Sequence, residues 1–352
     1  MFRLLRLRCR LAKRWKRFTG ADKTVYVWDR VSLYKEIWKD AATQLSAAFA
    51  ELADGIWEIR LGDKSTVICN YMVQIDDPVI LEVAGHKPYC YSAMASRGLS
   101  IPEYRVFGLS EFEKAERFMS EHKGFFVVKP AIGTSAGLGV TTHVSTIAEC
   151  RDAAALASLY HDQLIIERLV IGECYRILVL DGTPIHASRR NGIWLEGDGV
   201  SSVAQLLKSA YAQSPDAGEG TDARLDADRD LQATLGAQGV SWKDILPAGR
   251  RILAKSVGNR LQRTDEVRTI YTDNATDVLC DDILRQAVLA ARAIGSQFTG
   301  VDVITRDPAL PLKQSGGIIN EINTTPGLHH HYDLTNNSGI PSAVLVLRYL
   351  LK

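Results

Sequence analysis

Apolar residues recur along the chain at two spacings, three-to-four and two, and the switches between them set the elements the sequence predicts. In MFRLLRLRCRLAKRWKRFTG, Leu4, Leu7, Leu11, Trp15 and Phe18 fall at helical spacing, so a helix over residues 1–20 carries an apolar stripe flanked by arginines. A second helical pattern runs from Ser32 to Leu52, with Leu33, Ile37, Ala41, Leu45, Phe49 and Leu52 on one face. IWEIRL and STVICN then read as strands, which gives a small N-terminal α/β domain over residues 21–85. After DDPVILEVAGHKP comes a helix-like segment, then IPEYRVFGLSEFEKAERFM, where Ser110 and Glu113 form the capping box of another helix. From there strands and helices alternate. FFVVKP is a strand, AIGTSAGLGV a glycine loop, QLIIERLV a strand, and CYRILVLDGTPIHASRR a hairpin turning at Asp181 and Gly182. Ser214 to Gly239 is rich in Asp, Ala and Gly with weak periodicity, which marks a mobile insertion or lid. A helix near Asp282 to Gln297, strands TGVDVITR and GGIINEIN, and a closing helix from Pro341 complete a mixed α/β pattern.

The 352 residues, 46% hydrophobic and 24% charged, are enough for a sizeable core in two or three domains. Cys9, Cys69, Cys90, Cys150, Cys174 and Cys280 lie far apart with no CxxC pair, which argues against a zinc knuckle or a disulfide framework and fits a reducing cytoplasm. No apolar run approaches the ~20 residues of a membrane span, and the N-terminus lacks the uncharged core of a signal peptide. The expected location is cytoplasmic. Net charge is +1, but the first twenty residues hold eight Lys or Arg and no acid, leaving 34 bases against 41 acids elsewhere. The basic helix suits an anionic membrane surface, an acidic or nucleic-acid partner, or packing on the body or a second subunit. The expectation is a homodimer with peripheral membrane contact through residues 1–20 and no specific nucleic acid.

Three constellations bear on chemistry. In VVKPAIGTSAGLGV a strand delivers Lys129 ahead of Gly133, Thr134, Ser135, Gly137 and Gly139, and backbone N–H groups of such a loop can wrap phosphate oxygens. The order is neither a P-loop nor a Rossmann fingerprint, and plain turn chemistry is the alternative. In LIIERLVIGECYRILVL a strand ends at Glu167, with Arg176 nine residues on; a nucleotide-binding edge and an inconsequential surface pair are both open. Asp302 in GVDVI, and Glu321 and Asn323 in IINEIN, sit on short apolar strands. Residues 321 and 323 share a strand face, and three oxygen side chains converging from two strands suit a hard cation such as Mg²⁺.

Taken in order, AGHKPYCYSAMASRGLSIPE, VVKPAIGTSAGLGV, IIERLVIGECYRILVL, ASRRNGIWLEGDGVSSVAQLL, TGVDVI and NEINTTPGL resemble the ATP-grasp superfamily, and within it the ATP-grasp part of cyanophycin synthetase and related amino-acid ligases. The resemblance implies an ATP-grasp fold over residues 86–352, two α/β lobes clasping ATP and divided near residue 185. It implies a ligase that phosphorylates a small-molecule carboxylate, an amino acid or peptide, and lets an amine displace phosphate from the acyl phosphate, with ATP and Mg²⁺ (or Mn²⁺) as cofactors. By matching positions, Lys87 and Lys129 contact ATP phosphates, the loop from Gly133 to Gly139 closes over them, and Glu167 with the Arg168 and Leu169 backbone receives adenine. Asp302, Glu321 and Asn323 match the metal ligands; Arg176, Arg189 and Asn259 match polar positions at the reaction centre.

The pattern departs from the family at several points. Cys174 stands where the ribose-binding acid is usual, with Glu173 one residue early. SVGNRLQRTDEV lacks the paired glycines typical after the Asn of cyanophycin synthetase, and that enzyme's second catalytic domain is absent, so cyanophycin is not the expected product. Thr324 and the histidines His329 to His331 follow the metal strand; His329 and His331 read either as substrate contacts or as surface imidazoles. A phosphotransferase on the same scaffold, or a non-catalytic nucleotide sensor tethered by its basic helix, are the rival functions.

Overall fold

The structure, a computed structural model, describes residues 31–133, 139–190, 192–212, 229–255, 271–332 and 339–352. The basic stripe of residues 1–20 lies outside these, as do Thr134, Ser135, Gly137 and Asn259. The first described helix, Val31–Gln44, buries Tyr34, Ile37, Trp38, Ala41 and Ala42, while Leu33 is exposed. The helix expected to run on to Leu52 stops because Ser46 takes a left-handed φ of 54° and the Ala47 N–H returns to the Ala42 carbonyl at 2.9 Å, a Schellman closure. Phe49 and Leu52 therefore lie on a strand, β1 (Ala48–Ala53), which pairs with β2 (Ile56–Leu61), itself paired with β3 (Lys64–Cys69). Trp57, Ile59 and Ile68 face the helix, and the Trp38 indole N–H donates to the Asn70 carbonyl at 2.8 Å.

A four-stranded antiparallel sheet follows, made of β4 (Tyr104–Phe107), β5 (Phe126–Pro130), β6 (Thr141–Val144) and β7 (Leu164–Arg168) in the order β4-β7-β5-β6. Helices Glu113–Glu121 and Ile147–Ser158 pack with it around Phe107, Phe118, Phe126, Val128, Ala153, Ala157 and Ile166. The capping box expected at Ser110 and Glu113 does not form: Leu109–Glu111 winds into a 3₁₀ turn and Phe112, already helical, occupies the cap position without a side-chain bond. A complete box opens the other helix instead, between Thr146 and Glu149.

The hairpin of β8 (Glu173–Leu180) and β9 (Thr183–Arg190) forms as expected, with φ of 48° at Asp181 and 71° at Gly182. Strands β10 (Ile193–Glu196) and β11 (Arg251–Lys255) pair beside helices Val203–Ala212 and Arg229–Gly236. The second helix corrects part of the expected lid, since Leu231 and Leu235 are buried with Leu195, Leu207 and Ile252. Finally β12 (Tyr271–Asn274), β13 (Phe298–Thr305) and β14 (Ile318–Thr324) join the hairpin in a five-stranded antiparallel sheet of order β12-β9-β8-β13-β14. Helix Asp281–Ile294 packs on this sheet, and helix Ser342–Leu350 closes the described chain.

The chain divides into two compact units that interleave along the sequence. One gathers Glu103–Leu169 and the described part of Asn191–Ile270; the other gathers the described part of Lys23–Pro102, Val170–Arg190 and Tyr271–Lys352. Within the second unit, residues from 31–85 share one core with Leu178, Leu180, Phe298, Leu328 and Leu347. Strand β9 runs unbroken through residue 185, and the units change at 190/191. Among the described residues no helix is long and apolar enough to cross a membrane.

Candidate active site

In the unit that holds the five-stranded sheet, strand register lines up a row of polar groups. Ser188, Arg176, Asp302 and Glu321 are successive cross-strand partners on β9, β8, β13 and β14, so their side chains share one face. Arg176 donates from Nε to Asp302 Oδ1 and from a terminal nitrogen to Oδ2, both at 2.6 Å, a bidentate fork with arginine and aspartate alike buried. Gly300, two residues before Asp302, leaves the room: a Cβ there would lie 3.0 Å from Arg176 Cδ and 3.2 Å from Pro326 Cβ. The Asn323 amide reaches Asp302 Oδ2 at 3.4 Å. From helix Lys87–Ala95, Lys87 Nζ approaches Glu321 Oε1 at 3.5 Å.

A bulge sets this face. Asp302 opposes Glu321 but Val303 opposes Ile319, so one residue of β14 is left over, and the buried Tyr91 donates its hydroxyl to the Asn320 carbonyl at 2.8 Å. Ile319 can then enter the core while Glu321, only two residues on, turns to the polar row. Just beyond the strand, Thr325 has a left-handed φ of 47°, which redirects the chain after Thr324 into Pro326 and Gly327.

Arg189 does not join the row. Its register partner is Tyr175, which places it on the opposite face, where it binds Glu173 at 3.2 Å; Glu173 also accepts the Tyr175 hydroxyl at 2.7 Å. The neighbouring Arg190, which the sequence reading passed over, pairs with Cys174 on the Arg176 face, and its charge is felt by both Cys174 and His330. Alternation along β9 could have identified it, given the register. Burial, then the charge of Asp302, pushes the Cys174 thiol up to about 12, so the residue at the ribose-acid position is a neutral buried thiol.

The histidines belong to this unit too. His329 Nδ1 lies 2.7 Å from the Tyr34 hydroxyl, and His331 is wholly buried with its Nδ1 2.8 Å from that of the buried His186. Burial, then nearby positive charge, holds both His330 and His331 well below the ordinary imidazole value. His331 is thus not a surface imidazole: it packs against His186 of β9. Among the described residues no group of three or more His, Cys, Asp or Glu is arranged to hold a metal; Asp302, Glu321 and Asn323 lie on one face of β13 and β14.

The other unit carries its own buried pair. Glu167 on β7 and Lys129 on β5 meet at 2.8 Å, both buried, in diagonal positions on one sheet face. Tyr104, directly opposite Glu167, has its phenol pKa raised by burial and by that carboxylate. Arg168 binds Glu103 through its side chain at 2.6 Å and its backbone N–H at 3.0 Å, and the Leu169 N–H donates to the Phe125 carbonyl at 2.8 Å. Both N–H groups of the expected adenine edge are therefore engaged within the sheet. At the ends of the glycine loop, Gly133 and Gly139 have φ of 70° and 71°, and a Cβ on Gly139 would stand 2.7 Å from the Tyr160 ring. Lys255 is a further fully buried cation, on β11, absent from the sequence reading.

No family model matches the chain. Among curated proteins it is similar to the cyanophycin synthetase of Nostoc sp., 27% identical over 333 residues that cover 88% of this chain and 35% of the relative. It is also similar to the glutathione biosynthesis bifunctional protein GshAB of Listeria innocua, 25% identical over 312 residues, 84% of this chain and 38% of the relative. The chain thus spans about a third of the length of the curated relatives it matches. Among solved structures it is similar to a bifunctional glutathione synthetase from Pasteurella multocida, with a TM-score of 0.54 and 20% identity over 89% of this chain and 43% of that one, a likeness of fold.

Proposed function

We propose, for a chain that resembles the ATP-grasp ligases in sequence and in its α/β fold, an ATP-dependent carboxylate–amine ligase that forms an amide through an acyl phosphate and releases ADP and phosphate. The observation that carries the reading is the row of Arg176, Asp302 and Glu321 with Asn323 and Lys87 at its edge. Buried charges on otherwise apolar strands are costly and persist where they are paired for a use. The names of the relatives favour amino-acid or peptide substrates, and residues 86–352 are the part of the chain assigned to the reaction.

Each residue then has a task. Asp302, Glu321 and Asn323 offer the hard oxygen donors that suit Mg²⁺, and Arg176 engages both Asp302 oxygens. When bound, the divalent cation neutralises charge on the phosphoryl group being transferred. Lys87 and Lys129 supply positive charge toward phosphate oxygens, and Arg176 stabilises charge developing on the acyl phosphate. Gly133 and Gly139 give the loop between them a backbone that can approach phosphate closely. By the resemblance, Glu167 with the Arg168 and Leu169 backbone is the part that receives the base.

The test is a screen of amino-acid and small-peptide pairs for ADP release that requires both a carboxylate and an amine, with the amide identified by mass. A phosphorylated carboxylate accumulating without amide would support the phosphotransferase. ATP binding without turnover for any pair, while Asp302→Asn binds equally well, would support the sensor.

A further inference from the structure

We propose that Arg176 is the resident counter-ion of Asp302, which a divalent cation must partly displace, so that metal binding frees the guanidinium for its work on the substrate. The inference rests on the metal reading given above. Its own basis is the fork. Both guanidinium contacts to Asp302 are 2.6 Å, both residues are buried, and strand register holds them side by side. A cation at Asp302 meets a carboxylate already neutralised by a planar group matched to it oxygen for nitrogen. The apparent affinity of such a site falls with the fraction of Asp302 not committed to arginine. Gly300 supplies the other half of the device: the arginine stem occupies the room left by a position with no side chain, its Cδ 3.0 Å from where a Cβ would stand, with Asn323 as the cross-strand neighbour.

Charge alone predicts something different. If Arg176 weakened cation binding only by repulsion, a lysine in its place would weaken it equally. If the fork is what must open, a lysine keeps the charge, loses the bidentate match and binds the cation more tightly.

Mn²⁺ binding to the full chain without nucleotide, followed by the loss of free-ion EPR signal, separates the two. Arg176→Lys and Arg176→Gln should both bind Mn²⁺ at least about tenfold more tightly than the parent, and adding Asp302→Asn to either should remove the gain. Arg176→Lys matching the parent, with binding still dependent on Asp302, overturns the inference and leaves the metal reading intact. Binding that ignores Asp302 in every variant overturns the metal reading, and the inference with it. Should Arg176→Gln fail to fold, Arg176→Lys decides alone. The parent offers a second readout: its Nε–H resonance, assigned by its absence in Arg176→Lys, should be protected from exchange in metal-free protein and lose protection on Mg²⁺ addition. Unchanged protection at saturating Mg²⁺ also overturns the inference.

Discussion

Each unit buries an ion pair on a sheet face, and the two pairs differ in kind. Lys129 and Glu167 meet at 2.8 Å, a flexible ammonium against a carboxylate two strand positions away. Arg176 and Asp302 are direct cross-strand partners joined by two parallel bonds. An ammonium is a point charge that can turn from a carboxylate to a phosphate oxygen without losing geometry, whereas a guanidinium fork specifies its partner's plane. The first arrangement suits a group that trades partners as nucleotide comes and goes, and the second suits one held until something displaces it.

The sharpest break would come at the edge of the second pair. Glu321→Ala removes a charged donor while Lys87, Lys129 and the glycine loop stay in place, so ATP binding should persist while ADP formation falls on the order of a hundredfold or more. Normal turnover with substrates found in the screen would remove the main physical support for the ligase. Next in size is a stability comparison. Asp302→Ala removes both bonds of the fork from a buried arginine and should cost about 3–5 kcal/mol by urea unfolding. Glu167→Ala removes an ammonium contact rather than a guanidinium fork, so its cost should be smaller. Equal losses would erase the contrast.

A smaller effect tests the room left at Gly300. Gly300→Ala sets a methyl against Arg176 and Pro326, and overpacking of this kind should cost about 1–3 kcal/mol without removing either charged partner. Smallest is a pH effect in the same unit. Burial keeps His331 neutral in the folded state, but the unfolded chain takes up its proton near pH 6.5, so stability should rise with pH through the window below that value and fall as pH drops. The slope is about 1.4 kcal/mol per pH unit for each such imidazole. Unfolding curves of His331→Gln between about pH 5 and 7 should be flatter than the parent's by one such contribution, and an unchanged slope would place the titration elsewhere.

Much of this was legible in the residues. The strands around Asp302 and Glu321, the hairpin at Asp181 and Gly182, and Lys129 on a strand were all signalled by local apolar alternation or turn chemistry. What escaped depends on pairing. Whether Arg189 or Arg190 shares a face with Arg176 follows from the register of β8 with β9, which no spacing within one strand discloses. The bulge at Asn320 is likewise a property of two strands and a tyrosine from a distant helix. The end of the first helix at Ser46 was hidden because Phe49 and Leu52 continue the helical spacing while lying on a strand, and burial of His331 came from a partner far along the chain.

The interleaving of the units has a consequence for how the chain reaches this state. Arg176 and Asp302 are 126 residues apart, and the central pairing of β8 with β13 must close that loop before it gains anything. The four-stranded sheet, by contrast, lies wholly within Glu103–Leu169 and needs only neighbours nearby in sequence. On a ribosome it can assemble while Phe298 to Thr324 have yet to emerge. Until they do, β8 exposes an unpaired edge flanked by Ile177, Leu178 and Val179, a surface prone to pairing with another chain. The sheet that holds Arg176, Asp302 and Glu321 is the later of the two to form and, during synthesis, the one more in need of protection.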